Sequence, residues 1–228
     1  VKKYGSSSIL LSGGTFTAGD SNYSDTGILF KLEDLTDGTT SGTVYDKSGN
    51  TNNATIQGGK ITDSQSKWGT TSLSGHLDTT AHSSYDPGTG DFTVEAWCYF
   101  HRNAHSVCGT DEGRSNSVQL GHQNSGSFGL ALAAIQWDLT GSTVPSLNQW
   151  VHICACRGSG RLSIFVDGTR TATETGNSNN YEAPDYFGLG TAGLVDSFRL
   201  TKGVDRYGAG NTSFTVPTAE FPESASDI

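Results

Sequence analysis

GLVDSFRLTKGVDRY, residues 193–207, decides what kind of fold this chain can form. Read as a strand, it places Leu194, Asp196, Phe198 and Leu200 on one face and Val195, Ser197, Arg199 and Thr201 on the other. The first face is apolar except for one carboxylate. An ionised carboxylate turned toward a core is too costly to leave alone, so Asp196 needs a cation, a metal or several hydrogen-bond donors.

Working outward, residues 92–100 (FTVEAWCYF) alternate cleanly, with bulky residues on both faces, as in a strand covered on both sides. Residues 150–157 and 162–166 read as strands joined by Gly158-Ser159-Gly160, and Asp167-Gly168 supplies the positive-φ pair of a tight hairpin. A further hairpin is expected from residues 117–120 and 128–133, and a strand pair within residues 68–77. Between Glu33 and Gly59 the chain is polar and full of turn signals. No window has helical periodicity, and the 30 glycines with a 33% hydrophobic content favour short strands. The expectation is one all-β domain, residues 27–222. A polar N-terminal arm or docking strand (1–26) precedes it and a short tail (223–228) follows.

The net charge is −9 and the 14 Lys and Arg are scattered, which argues against a nucleic-acid groove. No apolar run approaches the roughly 20 residues of a membrane helix. The first residues carry only a three-residue apolar patch, too short for a secretory signal, and the sequence holds no Met. Cys154 and Cys156 share a strand face and cannot easily bridge each other. Buried free thiols are expected for these and for Cys98 and Cys108, with a Cys98–Cys108 bridge as the alternative.

The order of landmarks then becomes informative: YDKSGN, SKWGTTSL, GTGDFTVEAWCYF, NQWVHICACRGSGRLSIFVDG and GLVDSFRLTKGVDRY followed by FTVPTAEFP. This series resembles the laminin-G-like, concanavalin-A-like domains. Its closing run is most similar to the variant found in bacteriophage virion proteins. The resemblance implies a jelly-roll sandwich of two antiparallel sheets. It implies no single function, because the fold serves lectins, enzymes, adhesion modules and virion parts.

It also implies a structural calcium tying the opening loop to the last strand, with Asp46, Asn50 and Asp196 as the matching positions. Oxygen ligands from two distant segments would suit calcium's six to eight contacts. The alternative has Asp46 and Asn50 making turn bonds and Asp196 pairing with an arginine. Cys98, His101, His105 and Cys108 have zinc-like spacing, but Cys98 reads as a core position and the domain is large enough to fold without zinc. The glycoside hydrolases of this fold alternate two glutamates and an aspartate on one strand. The comparable strand here offers only Glu95, and one carboxylate cannot be both acid and nucleophile. His152 reads as a satisfied core histidine. The chain is therefore expected not to be an enzyme. For sugar binding, Trp137, Asp138, Asn180, Tyr181 and Tyr186 supply aromatic, amide and carboxylate groups, with Asn179 beside them.

Together these point to a non-enzymatic virion structural protein, a capsid-surface decoration or a tail or fibre component. It would assemble in a host cytoplasm, be homo-oligomeric, contact other virion proteins, and use its loops on host-surface glycans. A glycan-binding or adhesion module of a secreted cellular protein is the alternative, and a degenerate glycosidase comes third.

Overall fold

A computed structural model describes residues 19–102, 106–109, 118–122, 128–133, 136–182 and 186–225. Within them lie thirteen strands: β1 (Thr26–Phe30), β2 (Thr43–Val44), β3 (Ala54–Thr62), β4 (Ser72–Thr80), β5 (Phe92–Phe100), β6 (Ser106–Gly109), β7 (Gln119–His122), β8 (Phe128–Ala133), β9 (Gln136–Thr140), β10 (Trp150–Gly158), β11 (Arg161–Val166), β12 (Thr169–Thr175) and β13 (Tyr186–Lys202). All pairings between them are antiparallel, in the order β12-β11-β10-β5-β13-β6-β7-β8-β9, with β4 and then β3 branching from β13.

β13 is long enough to belong to two layers. Its first half pairs with β4 and β6, and its second half with β5 and β1. The curled sheet thereby encloses one core. Leu73, Leu77, Cys108, Leu120 and Leu189 of one layer meet Val94, Ile153, Ile164, Phe198 and Leu200 of the other. The expected all-β, concanavalin-A-like sandwich is what forms. The Asp167-Gly168 turn has its positive φ angles, 46° and 72°.

The alternation expected for residues 193–201 is broken by one residue. Val195 pairs with Cys98 and Asp196 with Trp97, yet Phe198, not Ser197, pairs with the next residue, Ala96. Ser197 is the extra residue of a β-bulge, at φ 52°. The bulge inverts the faces, so Val195, Phe198 and Leu200 join the core while Asp196, Arg199 and Thr201 share the outer face. Asp196 therefore does not point between the sheets, as strict alternation required.

The outer face of β5, β10, β11 and β13 is covered by the segment after β13. Gly203 N–H donates to Asp91 O (2.7 Å) and Thr93 Oγ1 to Val204 O (2.9 Å). Ser163 Oγ donates to Ala209 O (2.7 Å), and Phe214 N–H to Gly168 O (2.8 Å). Tyr207 and Phe214 stack at 3.8 Å above a second small core of Cys154, Cys156, Phe165 and Ala209. The run TKGVDRY to FTVPTAEFP is thus a strap.

Other expectations need correction. The polar segment read as turns ends in a nine-residue strand, β3, and the pair placed within residues 68–77 is the single strand β4. Gly58-Gly59 interrupts the side-chain alternation of β3. Gly59 and Gly75 face each other at φ 112° and 114°, where a Cβ on Gly59 would lie 2.1 Å from Ser74 O. Residues 20–26, placed in the arm, pack into the domain. Asp20 is buried and its N–H donates to Ser224 O (2.9 Å), so the chain enters and leaves the domain side by side.

The bulge should be sensitive to the residue at its corner. Glycine occupies φ 52° freely, whereas a β-branched residue there is strained by about 1–3 kcal/mol. Ser197→Gly is expected to stay within about 1 kcal/mol of the parent, and Ser197→Val to melt clearly lower in a thermal scan followed by circular dichroism. A valine variant as stable as the parent would refute this account of the bulge.

Candidate functional site

Where β12 ends, residues 176–181 fold back over the end of the sandwich, and a buried arginine holds them there. Arg157, at the end of β10, is 1% exposed. It donates to Asn177 Oδ1 (3.1 Å), Asn179 O (2.6 Å), Gly88 O (2.7 Å) and, through Nε, Gly90 O (2.8 Å). Its guanidinium lies 5.2 Å from the Phe92 ring centroid and 5.0 Å from that of Tyr181. Gly88 and Tyr181 exchange backbone bonds at 2.8 and 3.0 Å. One fork of donors thus fixes two loops.

A polar cluster builds on that loop. Tyr181 Oη donates to Asp138 Oδ2 (3.2 Å), and Asn177 Nδ2 donates to Tyr181 Oη (3.3 Å) and Glu174 Oε1 (3.5 Å). Burial pushes the Asp138 carboxyl above the usual carboxylate range; the Tyr181 hydrogen bond opposes this and the Glu174 charge adds to it. Asp138 and Tyr181, both named as candidates for sugar binding, are therefore brought together. Tyr181 is fully buried, however, and serves as a back wall rather than a stacking platform. Asn180 is exposed and its amide donates to Glu182. The side chains of Trp137 and Tyr186 lie outside the described residues. Half-buried carboxyls beside amides give a rim of donors and acceptors suited to ligand hydroxyls. The sequence reading missed Arg157, Glu174 and Asn177. The available signal was an arginine closing an otherwise apolar strand just before Gly-Ser-Gly.

Glu95, the one carboxylate on β5, is fully buried. Oε1 accepts from Arg199 Nε (2.9 Å) and Nη2 (2.7 Å), while Oε2 accepts from Tyr207 Oη (2.6 Å) and faces His152 Nε2 at 3.1 Å. Burial would raise its pKa, but the Arg199 charge, together with His152 and Tyr207, holds it down to about 2. Arg199 also bonds Asp20 Oδ2 (2.9 Å), which Arg206 holds from the other side (2.9 Å). His152 is fully buried beneath the strap, and its Nδ1 carries no hydrogen bond.

Of the residues matched to calcium, Asp46 and Asn50 meet at Ser48 Oγ, which donates to Asp46 Oδ2 (2.7 Å) and accepts from Asn50 Nδ2 (3.1 Å). Asp46 Oδ1 accepts the N–H groups of Leu29 (2.9 Å) and Ser48 (2.9 Å), and Oδ2 accepts Ser48 Oγ (2.7 Å) and Asn52 N–H (3.0 Å). These four donors occupy its lone pairs. Asn50 donates its amide to Thr26 O (2.8 Å). Asp196 shares no partner with either; its Oδ2 accepts the N–H groups of Lys67 (2.6 Å) and Trp68 (3.0 Å), not an arginine. Among the described residues no three His, Cys, Asp or Glu side chains are grouped to hold a metal. Cys98 and Cys108 are free thiols in the core, and burial pushes Cys108 up to about 12. His105 lies outside the described residues.

The model of the concanavalin A-like lectin/glucanases superfamily matches residues 69–203, more than half of the sequence. The chain belongs to that superfamily. No curated protein sequence matches it. Solved structures share its fold. Domain 4 of AbnA, an extracellular GH43 arabinanase of Geobacillus stearothermophilus in complex with arabinotriose, aligns with a TM-score of 0.62 at 15% identity, covering 78% of this chain and 93% of that one. Trypanosoma rangeli sialidase aligns at 0.52 and 11% identity, covering 78% of this chain and 30% of the sialidase. The binding domain of botulinum neurotoxin DC in complex with SialylT aligns at 0.52 and 10% identity, covering 80% and 49%. At such identities the likeness is one of fold, and this superfamily member spans under half the length of the latter two chains.

Two of the buried carboxylates, Asp196 and Glu95, should respond to pH in opposite directions. Burial pushes Asp196 up to about 7; the Trp68 and Lys67 N–H groups oppose this, and the Glu33 and Glu220 charges add to it. Its stabilising contribution is complete below the usual carboxylate pKa and is lost as pH rises through about 7. Glu95 contributes above the usual range and loses that contribution only as pH falls toward about 2. Asp196→Asn should match the parent's melting temperature near pH 3.5 and exceed it increasingly up to about pH 7. Glu95→Gln should cost about 3–5 kcal/mol at neutral pH, because it unpairs Arg199. Parallel melting curves for Asp196→Asn and the parent across that range would refute the assignment. Melting with and without a chelator tests the calcium: a drop in melting temperature would reveal a bound ion, and an unchanged value would argue against one.

Proposed function

We propose that this chain is a non-enzymatic, lectin-fold surface component of a bacteriophage virion, and that the Asp138–Tyr181 end of the sandwich recognises host-surface glycans. The observation that carries the non-catalytic part is Glu95. The one carboxylate on β5 is enclosed, doubly bonded by Arg199 and capped by Tyr207 of the strap. A carboxylate kept ionised and out of reach of solvent is neither acid nor nucleophile for a sugar.

The glycan part is supported by the fold shared with an arabinanase domain bound to arabinotriose, and by the hydroxyl-binding chemistry of the half-buried Asp138 and the exposed Asn180. The virion part is supported by the resemblance of the strap sequence to phage virion proteins. Four free, buried thiols suit assembly in a reducing cytoplasm, whereas secreted domains more often oxidise theirs. Asp20 and Ser224 lie side by side, so the domain can be displayed from one attachment point. Neighbouring virion proteins and further copies of the chain are the proposed partners.

A glycan array should return a defined set of binders, and incubation with arabinan or β-glucan should release no reducing sugar. Asp138→Asn should weaken the best binder about tenfold or more while leaving the melting temperature close to the parent's. Sugar release would overturn the non-enzymatic reading. An array without binders would overturn glycan recognition, and antibody labelling that fails to decorate phage particles would overturn the virion assignment.

A further inference from the structure

The turn between β10 and β11 borders a cavity of about 780 Å³, within the usual range for small-ligand sites. Asp91, Arg161, Thr175 and Asp205 line it. Much of the remaining lining is glycine, and the glycines keep it open. Gly176 and Gly203 sit at φ 79° and 80°, and nothing lies within 4 Å of where their Cβ atoms would be. The cavity adjoins the loop described above, because Asn177 N–H donates to Gly160 O at 2.8 Å.

Its polar groups are anchored by part of their bonding capacity. Asp91 Oδ1 accepts Ser159 N–H (2.9 Å), and Asp205 Oδ2 accepts Ala209 N–H (2.5 Å) while its Oδ1 is enclosed by the protein. Arg161 Nη1 reaches Thr173 Oγ1 at 3.4 Å. Carboxylates accept from hydroxyls and a guanidinium donates to them, so the walls can engage a hydroxyl-rich molecule. Two carboxylates against one guanidinium disfavour an anion. No aromatic ring lines the cavity, and Val204 is its one aliphatic side chain, which disfavours flat apolar ligands.

We infer that this cavity is a second saccharide subsite, selective for neutral sugars, and that a single glycan of two or more units crosses the Asn177 loop from here to the Asp138–Tyr181 cluster. The ligand class rests on the adhesion function proposed above; the residues are different ones.

The test uses the full chain, an array of neutral oligosaccharides of two to six units with sialylated counterparts, and calorimetric titration of the tightest neutral binder. Thr175→Trp fills the cavity from an exposed strand position, and Asp91→Asn keeps the bond to Ser159 while removing a charge. Each should weaken the neutral oligosaccharide at least tenfold with an unchanged melting temperature, and the loss should vanish when the ligand is cut to the single unit held at Asp138. Should Thr175→Trp fold poorly, Arg161→Ala takes its place. Parent affinity in these variants, with affinity lost only in Asp138→Asn, would overturn the second subsite and leave the adhesion reading intact. Exclusive binding of sialylated glycans would overturn the ligand class, and an array with no binder would overturn both readings.

Discussion

The Glu95–Arg199 ion pair constrains more of this molecule than any other contact. Glu95 sits in the middle of a central strand with no access to water, and an unpaired carboxylate there would cost several kcal/mol. Arg199 can face it only because Ser197 bulges out of β13; sliding the strand by one residue would send the guanidinium into the core and Phe198 out of it. A buried ion pair adds little net stability over an apolar replacement. Its consequence here is register. Arg199 then recruits Asp20, Asp20 recruits Arg206, and Phe221 packs 4.2 Å beneath the same guanidinium. The entering segment and the strap are ordered by one charge.

That chain of dependence explains what could be read from the sequence. The alternation of β5, the Asp167-Gly168 turn and the apolar runs of β10 and β11 are local, and local periodicity reports them faithfully. The bulge is a relation between two strands. Nothing in LVDSFRL says that Ser197 rather than a neighbour is the extra residue, so strict alternation turns Asp196 inward. The requirement placed on Asp196 was sound even so: a buried carboxylate needs donors, and the Lys67 and Trp68 N–H groups supply them. β3 was hidden for another reason, since its middle is a glycine pair whose function is close backbone contact with β4.

At the candidate site, the residue types were legible and their roles were not. Asp138 and Tyr181 lie 43 positions apart and meet because β9 returns over β11 and β12 as the sheet curls. The sequence marked both as polar or aromatic loop residues. It could not show that Tyr181 is enclosed, because that depends on Arg157, whose donors all reach across from another strand. Long-range backbone acceptors leave no trace in side-chain spacing.

The strap closes one face of the sandwich. In the hydrolases that share this fold, alternating side chains of one strand face the substrate. The alternating outward side chains of β5 here are Thr93, Glu95 and Trp97, and each is occupied by the protein itself. Thr93 bonds Val204 O, Glu95 bonds Tyr207, and the Lys67 ammonium rests 3.8 Å from the Trp97 ring centroid. A ligand could reach that face only by displacing the strap and exposing the Arg199 and Arg206 network beneath it. Away from that face, Arg157 holds the loops of residues 88–90 and 177–179 in place from inside. Rigid loops over a closed sheet are the arrangement in which binding costs the least ordering entropy, so the sealed face and the fixed loops are two results of the same packing.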